Sequence, residues 1–123
     1  MLINLSNHPS SNWSEKQKEE ALKKFGAIED MPFPNVPPEM TTEGVKKMAA
    51  QYFLDISKKN DKVGLTTFHL MGEMTFVAAL TPMLQKHNFN VVCSTTKRTI
   101  IEEKNGIKTA QFEFVQFRAY PTM

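Results

Sequence analysis

Cysteine is nearly missing from this chain. Cys93 is the only one in 123 residues, so no disulfide can form within it. No apolar run approaches the ~20 residues that a membrane helix needs. The amino terminus, Met1-Leu2-Ile3-Asn4-Leu5, lacks both the charged n-region and the long apolar h-region of a secretory signal. Together these absences predict a cytoplasmic protein with no membrane partner. Charge of one sign is also scarce. A net charge of +2 is too small to argue for duplex nucleic acid, though it leaves room for a local basic pocket that takes a small anion. Neither a P-loop nor G-x-G-x-x-G occurs. His8, His69 and His87 are scattered and do not make a metal site with one cysteine, so no metal or cofactor is expected. There is no internal repeat and no low-complexity tract.

What is present suits one α/β domain over residues 1–123 with a single core. Hydrophobic residues make up 41% and charged residues 23%, a globular balance. Leu2 to Leu5 reads as a buried first strand. Trp13 precedes Ser14-Glu15-Lys16-Gln17, an S-x-x-Q capping box, and the helix it opens runs through Phe25 to a C′ glycine, Gly26. Ala27 to Asp30 is a weak second strand. Pro32, Pro34, Pro37 and Pro38 then make an ordered connector that belongs to no helix and no central strand. Val45, Met48, Ala49, Tyr52, Phe53 and Ile56 form one apolar stripe on a helix from about Thr42 to Lys59, ended by Asn60-Asp61-Lys62.

Leu65 to Met71 reads as a third strand and Phe76 to Lys86 as a third helix, kinked or restarted near Thr81 by Pro82. Asn90 to Ser94 reads as a fourth strand. Arg98 to Glu103 and Lys108 to Ala119 then form a hairpin about Asn105-Gly106, a type I′ pair, with a bulge near Val115-Gln116 that brings Phe117 back into phase. Strands alternating with helices predict right-handed crossovers and a mainly parallel sheet closed by a C-terminal antiparallel hairpin.

In such a sheet, ligands bind beyond the carboxyl ends of the strands, where the strand order switches. Three segments qualify. Asn7-His8-Pro9-Ser10-Ser11 is dense in hydrogen-bonding groups, and His8 is suited to acid–base work near neutral pH. The same residues equally make a polar loop that caps the first helix. Gly72-Glu73-Met74-Thr75 offers close backbone approach and a helix N-terminus suited to phosphate, with the Thr75 hydroxyl beside it. It is equally a tight turn with Thr75 as N-cap. Thr95-Thr96-Lys97-Arg98 puts two hydroxyls beside two cations at a strand end, which suits an anion or a solvated turn. His69 reads as a structural histidine of a buried strand, and Cys93 as a small core residue. The aromatics Phe112, Phe114, Phe117 and Tyr120 read as core or dimer interface.

The strand and loop Ile3-Asn4-Leu5-Ser6-Asn7-His8-Pro9-Ser10, the strand–turn–helix Phe68-His69-Leu70-Met71-Gly72-Glu73-Met74-Thr75 and the terminal Asn-Gly hairpin together resemble the CRISPR-associated Rossmann fold (CARF), in particular its small stand-alone ring nucleases. The basic residue that CARF domains carry soon after the turn glycine is replaced here by Met74-Thr75-Phe76, with Lys97 and Arg98 as the compensating cations. The resemblance implies a Rossmann-like three-layer sandwich. It also implies a homodimer that binds a cyclic oligoadenylate messenger across its two-fold axis. Cleavage would be metal-independent, by attack of a ribose 2′-hydroxyl on the adjacent phosphate. His8, Ser10, Ser11 and Thr75 would then be catalytic. Asn7, Gly72, Glu73, Met74, Thr95, Thr96, Lys97 and Arg98 would hold the ligand. The competing readings are a nucleotide-binding module without turnover, a protein-interaction domain using the aromatic hairpin, and a small enzyme on another nucleotide or phosphosugar.

Overall fold

The computed structural model describes residues 1–59, 65–103 and 105–122. Strands and helices alternate in the order β1 (Leu2–Ser6), α1 (Glu15–Phe25), β2 (Ile28–Pro32), α2 (Thr42–Lys59), β3 (Thr67–Met71), α3 (Met74–Lys86), β4 (Asn90–Glu102) and β5 (Lys108–Ala119). Local signals set most of these limits. The Ser14 hydroxyl accepts from Gln17 N–H at 3.2 Å and starts α1. Gly26, at φ 83°, ends it by donating to Leu22 O at 2.9 Å. Thr41 Oγ1 accepts from Gly44 N–H at 3.1 Å and opens α2. The expected stop at 60–62 lies outside the described residues.

The sheet order is β2-β1-β3-β4-β5; the first three pairings are parallel and β4–β5 is antiparallel. Strand alternation sorts the core onto two faces. Ile3, Leu5, Phe68, Leu70 and Val91 pack against Val45, Ala49 and Ile56 of α2 and Phe76, Leu80 and Leu84 of α3. On the other face Leu2, Val92, Phe114 and Phe117 meet Trp13 and Ala21 and Phe25 of α1. The result is a three-layer α/β fold. Because α1 and α3 leave neighbouring strands for opposite faces, a crevice opens between the carboxyl ends of β1 and β3.

Several local expectations are corrected. β4 is one strand of 13 residues, so Thr95-Thr96-Lys97-Arg98 is mid-strand rather than a strand-end turn. The antiparallel partner β5 supplies the backbone bonds that this polar stretch needs. Gly106 has positive φ, at 72°. Gly106 N–H donates to Glu103 O at 3.0 Å, so the type I′ geometry is not formed. α3 begins two residues early, at Met74, and continues through Pro82, with Thr81 Oγ1 donating to Val77 O at 2.7 Å. The bulge is where the phase of the aromatics requires it. Thr95 pairs with Gln116 and Thr96 with Phe114, leaving Val115 unpaired between them.

That bulge aims Phe117 into the core, where its ring meets Phe114, Phe25, Trp13 and His69 at centroid distances of 4.9, 5.6, 6.2 and 5.7 Å. Truncating Phe117 to alanine is expected to cost about 3–5 kcal/mol. The same change at Phe112, 67% exposed, is expected to cost no more than about 0.5 kcal/mol. Urea denaturation of the two variants checks the contrast.

Candidate functional site

β1 is buried along its whole length, yet two of its five residues are polar. Leu2, Asn4 and Ser6 share the face that α1 covers, and the β1–β3 register sets Asn4 opposite His69. Polar groups this deep must find partners or carry a penalty. Asn4, 1% exposed, finds four. Its Nδ2 donates to His8 O at 2.9 Å and to Asp30 Oδ1 at 2.8 Å. Its Oδ1 accepts from Ser6 Oγ at 2.7 Å and lies 2.8 Å from His69 Nδ1. Asp30, in the middle of β2, is tied down in turn by Ser10, whose N–H and hydroxyl donate to its carboxylate at 3.0 and 2.8 Å. Partial burial works to raise the Asp30 pKa, but the hydrogen bonds from Asn4 and Ser10 outweigh it and hold the carboxyl below its ordinary value. The chain of contacts His69–Asn4–Asp30–Ser10 thus joins β3, β1, β2 and the loop after β1.

His69 is 2% exposed. Its ring stands edge-on to Trp13 at a centroid distance of 5.1 Å and to Phe117 at 5.7 Å. Nε2 is buried and has no hydrogen-bond partner among the described residues. An orphaned acceptor of this kind costs about 1–3 kcal/mol. Burial in this apolar setting, and secondarily the nearby His8, push the His69 pKa down to about 4, so the imidazole is neutral at physiological pH.

His69 forms part of the wall of a cavity of about 590 Å³ at the carboxyl ends of β1 and β3, beside the middle of β4. Ser6, Ser94 and Thr96 line it with hydroxyls; Trp13, Phe112 and Phe114 line it with aromatic rings. His8, Asn12, Ser14 and Gln17 complete its polar edge. Among the described residues the lining contains neither lysine nor arginine. Arg98, exposed, pairs with Phe112 on the β4–β5 arm and by alternation shares the face of Thr96.

Of the residues singled out in the sequence, this cavity gathers His8 and Thr96. Asn7 lines a neighbouring cavity of about 510 Å³ between the ends of β1 and β2, with Asn4, Asp30 and the proline connector. Ser10 is committed to Asp30, and Ser11 is exposed in a single 3-10 turn. Gly72 and Met74 line a third cavity, with Val77, Pro82 and Tyr120, on the α3 side of the sheet. Thr95 Oγ1 donates to Gln116 O at 3.2 Å. Thr95 and Lys97 fall on the face opposite Thr96, the lysine exposed.

The turn after β3 is occupied by the chain itself. Glu73, not Thr75, is the N-cap of α3. Its carboxylate accepts from Thr75 N–H at 3.1 Å, from Phe76 N–H at 2.8 Å and from the Thr75 hydroxyl at 2.6 Å. These are the donors a phosphate would use. They also hold the Glu73 pKa below its ordinary value. The close approach at Gly72 is likewise internal: a Cβ there would fall on the Phe33 ring, which itself stacks edge-on against Phe76 at 5.2 Å.

Sequence reading missed Asn4, Asp30 and His69 as a group, because they lie on three strands. The available signal was Asn4 and Ser6 at alternate positions of an otherwise apolar strand, a polar stripe that needs an equally polar neighbour.

Two outcomes test this description. In the unfolded chain His69 titrates near 6.5, and in the fold near 4. Between these values the unfolded state binds the extra proton. Stability is therefore fully present above about pH 6.5 and falls, by on the order of 3 kcal/mol, as pH drops toward 4. Around His69, the titratable neighbours are His8 and, through Asn4, Asp30. Denaturation of the parent and His69→Gln proteins across this range should show the loss in the parent, with the His69 share absent from the variant. Gly72→Ala should destabilise by about 2 kcal/mol through displacement of Phe33, as read by urea midpoint.

No curated protein and no solved structure matches the chain. Residues 1–118 match the model of the family described as the Uncharacterized protein MJ1673 family, and the chain belongs to that family.

Proposed function

We propose that the protein is a Rossmann-like nucleotide-binding domain that takes a cyclic oligoadenylate messenger in the cavity between β1, β3 and β4 and cleaves it without a metal. The observation that carries this reading is the cavity itself: a space of about 590 Å³ at the switch in strand order, walled by hydroxyls, two histidines and aromatic rings. The volume suits a nucleoside unit. Ser94 and Thr96 offer hydroxyls to a ribose, and Phe112 and Phe114 offer apolar faces to a base. Since the lining lacks lysine and arginine among the described residues, the phosphate belongs at the rim, toward Arg98 and His8.

In the reaction, the 2′-oxygen forms a bond to the adjacent phosphorus as the bond to the 5′-oxygen breaks. The 2′-hydroxyl proton passes to a base and the 5′-oxygen gains a proton. The products are linear, with 2′,3′-cyclic phosphate ends. Positioning and charge stabilisation supply most of the rate. A homodimer would present two such cavities to one ring. The anion site moves in this reading from Gly72–Thr75, where Glu73 fills the helix end, to the arm side of the cavity.

A second reading has one specific observation in its favour. The arm carries exposed Ile100, Ile107 and Phe112, 60%, 57% and 67% accessible, which suits a protein partner better than water.

The deciding experiment incubates purified protein, with EDTA, against cyclic tri-, tetra- and hexa-adenylate, followed by chromatography and thermal shift. The expected result is a stabilising shift with one ring size and linear cyclic-phosphate products, with cleavage reduced at least tenfold in Thr96→Val. A shift without products supports a binding module. Neither a shift nor products overturns the nucleotide reading and favours the protein-interaction domain.

A further inference from the structure

We propose that His69 Nε2 is the acceptor for a hydroxyl of the ligand, the ribose 2′-hydroxyl, and that Asn4 is the positioning residue that makes it an acceptor. The identity of the hydroxyl rests on the nucleotide reading above; the state of the imidazole does not.

The Asn4 amide can sit only one way round. Its Nδ2 faces a backbone carbonyl, His8 O, and a carboxylate oxygen, Asp30 Oδ1, at 2.9 and 2.8 Å. Neither of these groups donates. A flipped amide would set its oxygen against both, so the orientation is forced. Asn4 Oδ1 therefore faces His69 Nδ1, at 2.8 Å. An oxygen at that distance requires a proton on Nδ1. A neutral imidazole has one N–H, so Nε2 is left with a bare lone pair. That atom is buried without a partner among the described residues, and the ring that carries it forms part of the cavity wall.

Nε2 is closed off from the cavity in the unliganded fold, so a ligand reaches it only as the flanking Trp13 or Phe117 ring shifts, and the group that then meets the lone pair must be a donor. An ionised phosphate oxygen or carboxylate would meet lone pair with lone pair. A ribose hydroxyl donates to Nε2 and still accepts from a neighbouring hydroxyl, which Thr96, or Ser94 on release from its weak acceptor Met71 Sδ, supplies. In the cleavage step His69 Nε2 takes the 2′-hydroxyl proton as the 2′-oxygen bonds to phosphorus. His8, at the edge of the same cavity, gives a proton to the departing 5′-oxygen. The two imidazoles exchange their proton states over the step, and solvent restores them.

Asp30 and Ser10 act one contact further out. Ser10 holds Asp30, Asp30 holds the Asn4 amide, and the amide sets the tautomer. Ser10, singled out in the sequence as a catalytic hydroxyl, is on this account a support for the positioning residue.

The test has two arms. The first is long-range 15N–1H NMR of the histidines in the parent protein without ligand. His69 is expected as the Nδ1–H tautomer, and Asn4→Leu should shift it toward a mixture of tautomers. Protonation at Nε2 in the parent overturns the proposal. The second compares binding of cyclic tetra-adenylate with that of its all-2′-deoxy counterpart. The parent should prefer the ribo ring at least tenfold, and His69→Phe, which keeps the aromatic packing, should bring the ratio close to one. Discrimination that survives His69→Phe overturns the proposal. If the parent binds neither ring, the nucleotide reading falls, and the tautomer alone decides whether Nε2 is an acceptor.

Discussion

One hydrogen-bonded amide organises this molecule. Asn4 sits in a strand with no exposed residue, and its side chain bonds to the strand on either side and to the loop that follows. A leucine there would be easier to bury. The amide instead obliges β2 to supply a carboxylate, β3 a histidine and the loop after β1 a carbonyl. The apolar cores on the two faces make the fold stable, while this polar column fixes how the carboxyl ends of β1, β2 and β3 sit relative to one another. The crevice that the topology opens at those ends acquires its chemistry from the same residue.

Much of the fold was legible in the sequence. The α2 stripe, the Ser14 cap, the Gly26 stop and the Val115 bulge are all local patterns, and each is where its pattern required. The errors have local causes as well. Thr95-Thr96-Lys97-Arg98 reads as a turn by composition, but it is the root of an arm whose polar side chains stay in water while β5 satisfies the backbone. Asn105-Gly106 reads as a two-residue turn, but the Gly106 N–H reaches back to Glu103 O, which a type I′ pair at these positions does not do. Glu73 displaces Thr75 as the cap of α3 because its longer side chain folds back over two N–H groups and the threonine hydroxyl.

The site was legible only in part, and for a different reason. Its defining contact joins Asn4 to His69, 65 residues apart, and strand register is what brings them together. A histidine in a buried strand is indistinguishable in sequence from a structural one until the groups facing its two nitrogens are known. The expected phosphate cradle failed for a reason invisible in a one-letter string: the chain supplies its own anion, Glu73, at the helix end. The cavity beside β1 and β3 is lined, among the described residues, by hydroxyls, imidazoles and aromatic rings and by neither lysine nor arginine.

The account stands on His69 being neutral, buried and bare at Nε2. NMR titration of its ring carbon resonances in the folded protein tests this most directly. The account predicts that His69 remains neutral down to about pH 4, while an exposed histidine titrates near 6.5. A His69 that protonates near 6.5 in the folded protein would contradict it, since that ring would be hydrated and its second nitrogen already partnered by water.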